Sequence, residues 1–295
     1  MLIILALSAL STAPAVAQDD SPRLSFGAMF GNDAIGDGDN RWRTGSLVVS
    51  TVTEMGKPDA EDWKRGPLLE YRLRSEVISP RDLTVSDPLD RPYVGAVSVG
   101  VHSHFNLNSY DLSLGGDLVM TGPQTGLGDL HGQLSGFSGS PVLDDQVPNS
   151  VHPTVTVEAG RSFRLFDRAD LTPFVEAQAG VETLIRVGGD MTVGRSPDGP
   201  MLRDVATGQR YTSATGEATG FSFVVGGDVA YVDSSAYLPA SDGYVLTDQR
   251  SRVRAGVQWY GERSEMFYGM TWLGEEFEAQ DEGQFVGSLN LRLRF

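Results

Sequence analysis

The residues best equipped for chemistry fall in three stretches. In the first, Phe30 to Gly45, Asn32 and Asp33 close an apolar run, and Asp37 and Asp39 follow in the string Gly36-Asp37-Gly38-Asp39. Carboxylate and amide oxygens on a Gly-rich loop suit Ca2+, which takes several oxygen ligands from flexible backbone. Asp33, Asp37 and Asp39 are therefore the candidate metal ligands. The loop is not an EF-hand, since no Glu closes it at the twelfth position. The plainer alternative is an Asp/Asn/Gly hairpin loop that holds no ion. The second stretch runs from Ile78-Ser79-Pro80 to Asp90-Arg91-Pro92-Tyr93-Val94-Gly95, where an Asp-Arg pair before Pro either pins a turn or has a functional role. The third runs from Gly122 to Ser135 and on to Asp144-Asp145-Gln146, and it carries His131. Of the four histidines, His102, His104, His131 and His152, only His131 lies in such an irregular piece. A lone loop histidine is more often solvated than catalytic. The sequence contains neither Gly-x-Ser-x-Gly nor His-Glu-x-x-His, which disfavours a classical serine hydrolase or zinc protease. With no Cys, thiol chemistry and disulfides are excluded.

The elements that must position these residues read as strands. In the last segment, Phe285, Leu289, Leu291, Leu293 and Phe295 share one parity, and Ser288, Asn290, Arg292 and Arg294 share the other. A strand with that pattern has one apolar and one charged face. Its length matches the ~9–11 residues of a tilted membrane strand, and it ends the chain on an aromatic residue. Leu69, Tyr71, Leu73, Ser75 and Val77 alternate against Glu70, Arg72, Arg74 and Glu76. Four charges on one face are hard to bury in a dry core and easy to place in a wet lumen. About twelve such strands follow one another, interrupted by two long polar segments, 121–149 and 194–220, and no helix of useful length is predicted. The fold class is thus all-β, an antiparallel transmembrane barrel of about twelve strands in one domain, 18–295. A soluble β-sandwich is the competitor.

Compartment follows from the ends. Met1 to Ala17 carries the apolar run Leu2 to Leu7 and the small-residue site Ala15-Val16-Ala17, which reads as a signal peptide cut after Ala17. A net charge of −16 argues against nucleic acid as a partner. Beside lipopolysaccharide phosphates, an acidic exterior would need divalent cations as bridges. The lumen charges, Glu70 to Glu76 with Arg252, Arg254, Arg292 and Arg294, either line a pore or pair and plug it.

In this order, the three stretches resemble the LpxR family of outer-membrane lipid A 3′-O-deacylases. The resemblance rests on Asn32-Asp33, on Asp39-Asn40-Arg41-Trp42-Arg43-Thr44-Gly45, on Ser79-Pro80, on Asp90-Arg91-Pro92-Tyr93-Val94-Gly95, on Gly122-Pro123 and on Asp144-Asp145-Gln146. Asp-Arg-Pro-Tyr-x-Gly is its most specific piece. It implies a twelve-stranded barrel of a Gram-negative outer membrane, Ca2+ dependence, and hydrolysis of an ester-linked acyloxyacyl chain of lipid A in the outer leaflet. A monomer is expected. In such enzymes a His acts as base on water, while metal and amides stabilise the oxyanion. Asn32 and Asp33 match the family's active-site pair. Arg43 takes the column of the hydroxyl that follows, with Thr44 one residue away. Ser135 stands where the catalytic His belongs, and Pro141 stands where a Glu is expected. Two readings follow. Either His131, one helical turn before Ser135, has become the base, or the barrel has lost hydrolysis and remains as a lipid-binding or structural wall protein.

Overall fold

The computed structural model describes residues 24–39, 41–54, 68–195, 201–212 and 219–294. The expected signal peptide and Phe295 lie outside them, as does the Arg294 side chain. Strands β1 (Leu24–Asn32), β2 (Trp42–Glu54), β3 (Leu68–Ser79), β4 (Val94–Leu107), β5 (Tyr110–Thr121) and β6 (Ser150–Gly160) form one half of the wall. A short β7 (Phe163–Phe166) precedes β8 (Ala169–Ala179) and β9 (Glu182–Gly194). After β10 (Met201–Arg203) and β11 (Arg210–Thr212), the wall resumes with β12 (Gly220–Ser235), β13 (Arg250–Tyr260), β14 (Ser264–Leu273) and β15 (Gln284–Arg294). Each wall strand pairs antiparallel with its neighbours. β6 pairs with β8, and β1 closes on β15 from Ser25↔Arg294 to Asn32↔Gly287. The result is a closed barrel of twelve strands, as the sequence predicts. Every wall strand thus has a strand partner on both sides, as a hydrocarbon surround requires.

Burial is inverted relative to a soluble protein. Tyr71, Leu73, Val99, Phe221 and Phe223 stand exposed on the outer wall, while Glu70, Arg254 and Arg292 are fully buried inside. His102 and His104 are buried and face inward. The lumen charges pair. Arg72 Nη2 lies 2.8 Å from Glu70 Oε2, Arg74 Nη2 2.5 Å from Glu76 Oε2, and Arg254 Nη2 2.6 Å from Asp190 Oδ1. β4 runs on to Leu107, and β6 begins at Ser150, where the first long polar segment ends.

Two long segments differ from expectation. Within 121–149 the chain forms a helix, α1 (Leu127–Ser135), and a single turn, α2 (Pro141–Asp144). Gly128 and Gly132 weaken the helical propensity, yet both are buried and admit Leu143 at a distance a larger side chain would crowd. Within 194–220, the described residues 201–212 form no exposed loop. β9 ends and β12 begins at the end of the barrel that holds Leu24 and Arg294, and β10 and β11 pair as a hairpin buried in the lumen. Leu202 and Gln209 are fully buried; Gln209 Nε2 donates to Met270 O at 3.1 Å and Thr271 Oγ1 at 3.0 Å. At its tip Gly208 has φ 70°, and a Cβ there would meet the Arg252 and Arg254 guanidiniums at 2.9 Å. A polar sequence is buried here because its surroundings are polar too.

The hairpin and the paired charges fill the lumen. Reconstituted in planar bilayers, the protein is expected to give no conductance steps, and replacing 201–212 with a Gly/Ser linker should introduce them. Porin-sized steps from the unaltered protein would contradict a filled lumen.

Candidate active site

Asn32, Thr44 and Ser79 meet on the outer face of the wall, at the rim opposite the barrel termini, while His131 is held against Tyr93 beside β4. On β1 the lumen side is odd-numbered, so Asn32 points outward; on β3 the lumen side is even-numbered, so Ser79 points outward. Thr44 reaches the same side through a register shift. β2 pairs Trp42↔Ser79 but Gly45↔Val77, a one-residue bulge that re-aims the side chains beside it. Arg43 consequently turns into the lumen, with Nη1 2.7 Å from Glu76 and Nη2 2.7 Å from Glu276. Thr44 Oγ1 instead lies 2.5 Å from Ser79 Oγ, and Asn32 Nδ2 donates to Thr44 O at 2.7 Å. Asn32 also caps the turn after β1, its Oδ1 accepting from Ala34 N at 2.8 Å.

Asp33 opens that turn fully buried, and neither of its carboxylate oxygens accepts a hydrogen bond. Burial pushes its carboxyl up to about 7, the Asp37 charge adds to the rise, and nearby backbone amides offset it only in part. Asp37 and Asp39 are differently placed. Asp37 Oδ2 accepts from Phe285 N at 3.0 Å, and Arg41 lies 2.5 Å from Asp39 and 3.8 Å from Asp37. Among the described residues, no three His, Cys, Asp or Glu side chains gather as a metal cluster. Of the three candidate ligands, Asp33 alone is fully buried with neither carboxylate oxygen paired, which leaves it the one available to a cation.

Helix α1 packs on β4 from outside. At Gly95 on β4, a Cβ would fall 2.7 Å from Thr125 Oγ1 and 3.1 Å from Leu127 Cβ, so only glycine lets the helix start sit against the wall. Two residues earlier, Tyr93 is fully buried beneath the helix, and its Oη lies 3.0 Å from His131 Nδ1. Phe137 packs edge-on against the imidazole at 4.9 Å between ring centres. The Tyr-x-Gly of the most specific motif thus has two jobs, one to hold the histidine and one to admit the helix. Burial lowers the His131 pKa below its ordinary 6.5 and keeps the Tyr93 phenol protonated. Ser135, the last residue of α1, is exposed at the far end of the same helix face.

The Asp90-Arg91 pair is a turn device with its partners elsewhere. Asp90 accepts from Trp42 Nε1 at 3.3 Å and Arg81 N at 2.5 Å, while Arg91 enters the lumen to meet Glu276 at 2.8 Å. The residues that sequence reasoning passed over as site members are Ser79 and Tyr93. Both lie in the quoted motifs, and both have outward parity, which was the signal available.

A family model described as Outer membrane protein LpxR matches residues 2–295. Among solved structures, the fold is similar to that of LpxR from Salmonella typhimurium, with a TM-score of 0.75 at 15% identity over 92% of this chain and 100% of that one. The KdgM porin gives a TM-score of 0.42 at 7% identity over 92% and 99% of the two chains. The NanC porin gives 0.40 at 8% over 92% and 100%. No curated protein sequence matches the chain.

Proposed function

The chain belongs to the LpxR family of outer-membrane proteins, and from that premise we propose that it hydrolyses an ester-linked acyl chain of lipid A, with His131 as general base. The observation that carries this reading is the imidazole held between α1 and the wall against Tyr93, its pKa lowered by burial. With the proton on Nδ1 donated to Tyr93 Oη, Nε2 keeps its lone pair. Nε2 then takes a proton from water as the water oxygen attacks the ester carbonyl, and returns it to the departing sugar oxygen. Ca2+ held by Asp33 would supply positive charge to the carbonyl oxygen. Asn32, Thr44 and Ser79 fix one another across three strands, which keeps the turn bearing Asp33 in place.

The wall below the site favours an acyl substrate. A shallow apolar groove crosses β2 to β6, bordered by Leu73, Val99 and Leu118, with Gly116 leaving a side chain out of its floor. Leu73 lies six residues below Ser79 on β3, or about 20 Å at ~3.3 Å per residue, a depth that suits the far half of a long chain. A closed barrel offers no edge to a second copy, which is consistent with a monomer.

The test is the mass spectrum of lipid A from Gram-negative cells with and without overexpression, with Ca2+ supplied. Loss of one acyl or acyloxyacyl unit supports the reading. Unchanged lipid A, with a barrel proved folded by its heat-modifiable gel mobility, would favour a family member that has lost hydrolysis.

A further inference from the structure

We infer that the barrel binds a small oxyanion, of phosphate or sulfate size, in its outer half between Arg74, Arg250 and Tyr237. These three side chains are each more than nine-tenths buried, and all line one internal cavity. About 60 Å3 of it is open to the centre of a water-sized sphere. One water needs on the order of 10–15 Å3 counted this way. The space therefore takes a few waters or one tetrahedral anion, and excludes a lipid headgroup. Its floor is the tip of the lumen hairpin, at Val205 and Ala206.

The hydrogen-bonding capacity left over in this cavity is cationic and donating. Arg250 Nη1 bonds Glu182 at 2.7 Å, but its Nε and Nη2 have no partner. Arg74 spends Nη2 on Glu76, and its Nε has none; Tyr237 Oη has none either. Leaving such groups dry is costly, most of all for a guanidinium. Nearby carboxylates cannot serve them. Three carboxylates line the cavity, Asp117, Glu182 and Glu276, and each already has partners. His102 occupies Asp117, Ser235 and Arg250 occupy Glu182, and Arg43 and Arg91 occupy Glu276. A guest that only accepts, carries negative charge and presents several oxygens meets every unfilled donor at once.

The site is independent of catalysis, and binding tests it directly. The full-length barrel, refolded in detergent, would be dialysed against radiolabelled inorganic phosphate. One saturable site per chain is expected, displaced by sulfate and not by chloride at equal ionic strength. Arg250→Gln should abolish binding. Tyr237→Phe removes one hydroxyl without disturbing a charge, and should weaken binding by about tenfold, the value of a hydrogen bond to a charged group. Gel mobility shows which variants fold, and Tyr237→Phe decides the matter where Arg250→Gln does not. Absence of saturable phosphate uptake overturns the inference, and so does uptake that Tyr237→Phe leaves unchanged.

Discussion

Replacing His131 with alanine is expected to lower lipid A deacylation by about 10²–10⁴-fold, the range for loss of a positioned general base. The variant should keep its heat-modifiable mobility, because His131 sits on α1, outside the strand ladder. Ser135→Ala is the internal control. Ser135 is exposed at the end of the helix, and its replacement should leave turnover within about twofold, the ±0.5 kcal/mol usual for a surface change. Tyr93→Phe should fall between the two, since it removes the oxygen that orients the ring and leaves the ring in place. The pH profile carries a further signature. His131 is held below its ordinary 6.5 by burial, so its acid limb should fall below that pH, with full activity already reached near neutrality. Equal losses in the Ser135 and His131 variants would remove His131 from the mechanism.

The second large effect is expected at Asp33, and it runs in opposite directions for activity and stability. The rise of its carboxyl from 3.8 to about 7 corresponds to on the order of 4 kcal/mol at 1.36 kcal/mol per decade. Its sign follows from proton counting. Between about pH 4 and pH 7 the folded chain binds more protons at this position than the unfolded chain does, so stability falls as pH rises. The penalty is absent below that window and complete above it. Asp33→Asn should therefore raise resistance to urea at pH 8 by about 1–3 kcal/mol, somewhat less than the full figure because the amide is still buried. The gain should shrink towards pH 5. Ca2+ should stabilise the unaltered protein at pH 8 by mass action and leave Asp33→Asn unmoved, while deacylation by the variant is lost. A variant no more stable than the parent at either pH would mean that Asp33 is solvated or paired.

The wall was legible in the sequence because its signal is repetitive. Leu69 to Val77 against Glu70 to Glu76 gives sidedness without ambiguity, and the terminal segment repeats it. What parity could not convey was the break in parity at Thr44. A bulge is a one-residue event, and the hydroxyl it turns outward looks lumenal from its number alone. The helix was hidden for a related reason: Leu127–Ser135 contains Gly128 and Gly132, which lower propensity and are there for the fit against Leu143 and the wall. The hairpin 201–212 misled through composition. Polar residues imply water when the alternative is an apolar core, but inside a barrel lined with arginine and glutamate they are the matching filler. Asn32 and Asp33 were found through a motif, and that neither Asp33 carboxylate oxygen is paired is visible only once the turn is folded.

The filled lumen and the outward-facing site together decide how a lipid would meet the protein. Among the described residues the hairpin and the paired charges occupy the lumen, so encounter falls to the plane of the outer leaflet, and both arrival and departure are sideways. Collision then depends on two-dimensional diffusion among crowded, cation-bridged neighbours. Turnover in native membranes should consequently follow the fluidity of that leaflet, slowing when it stiffens, even where the same protein in micelles shows no such dependence.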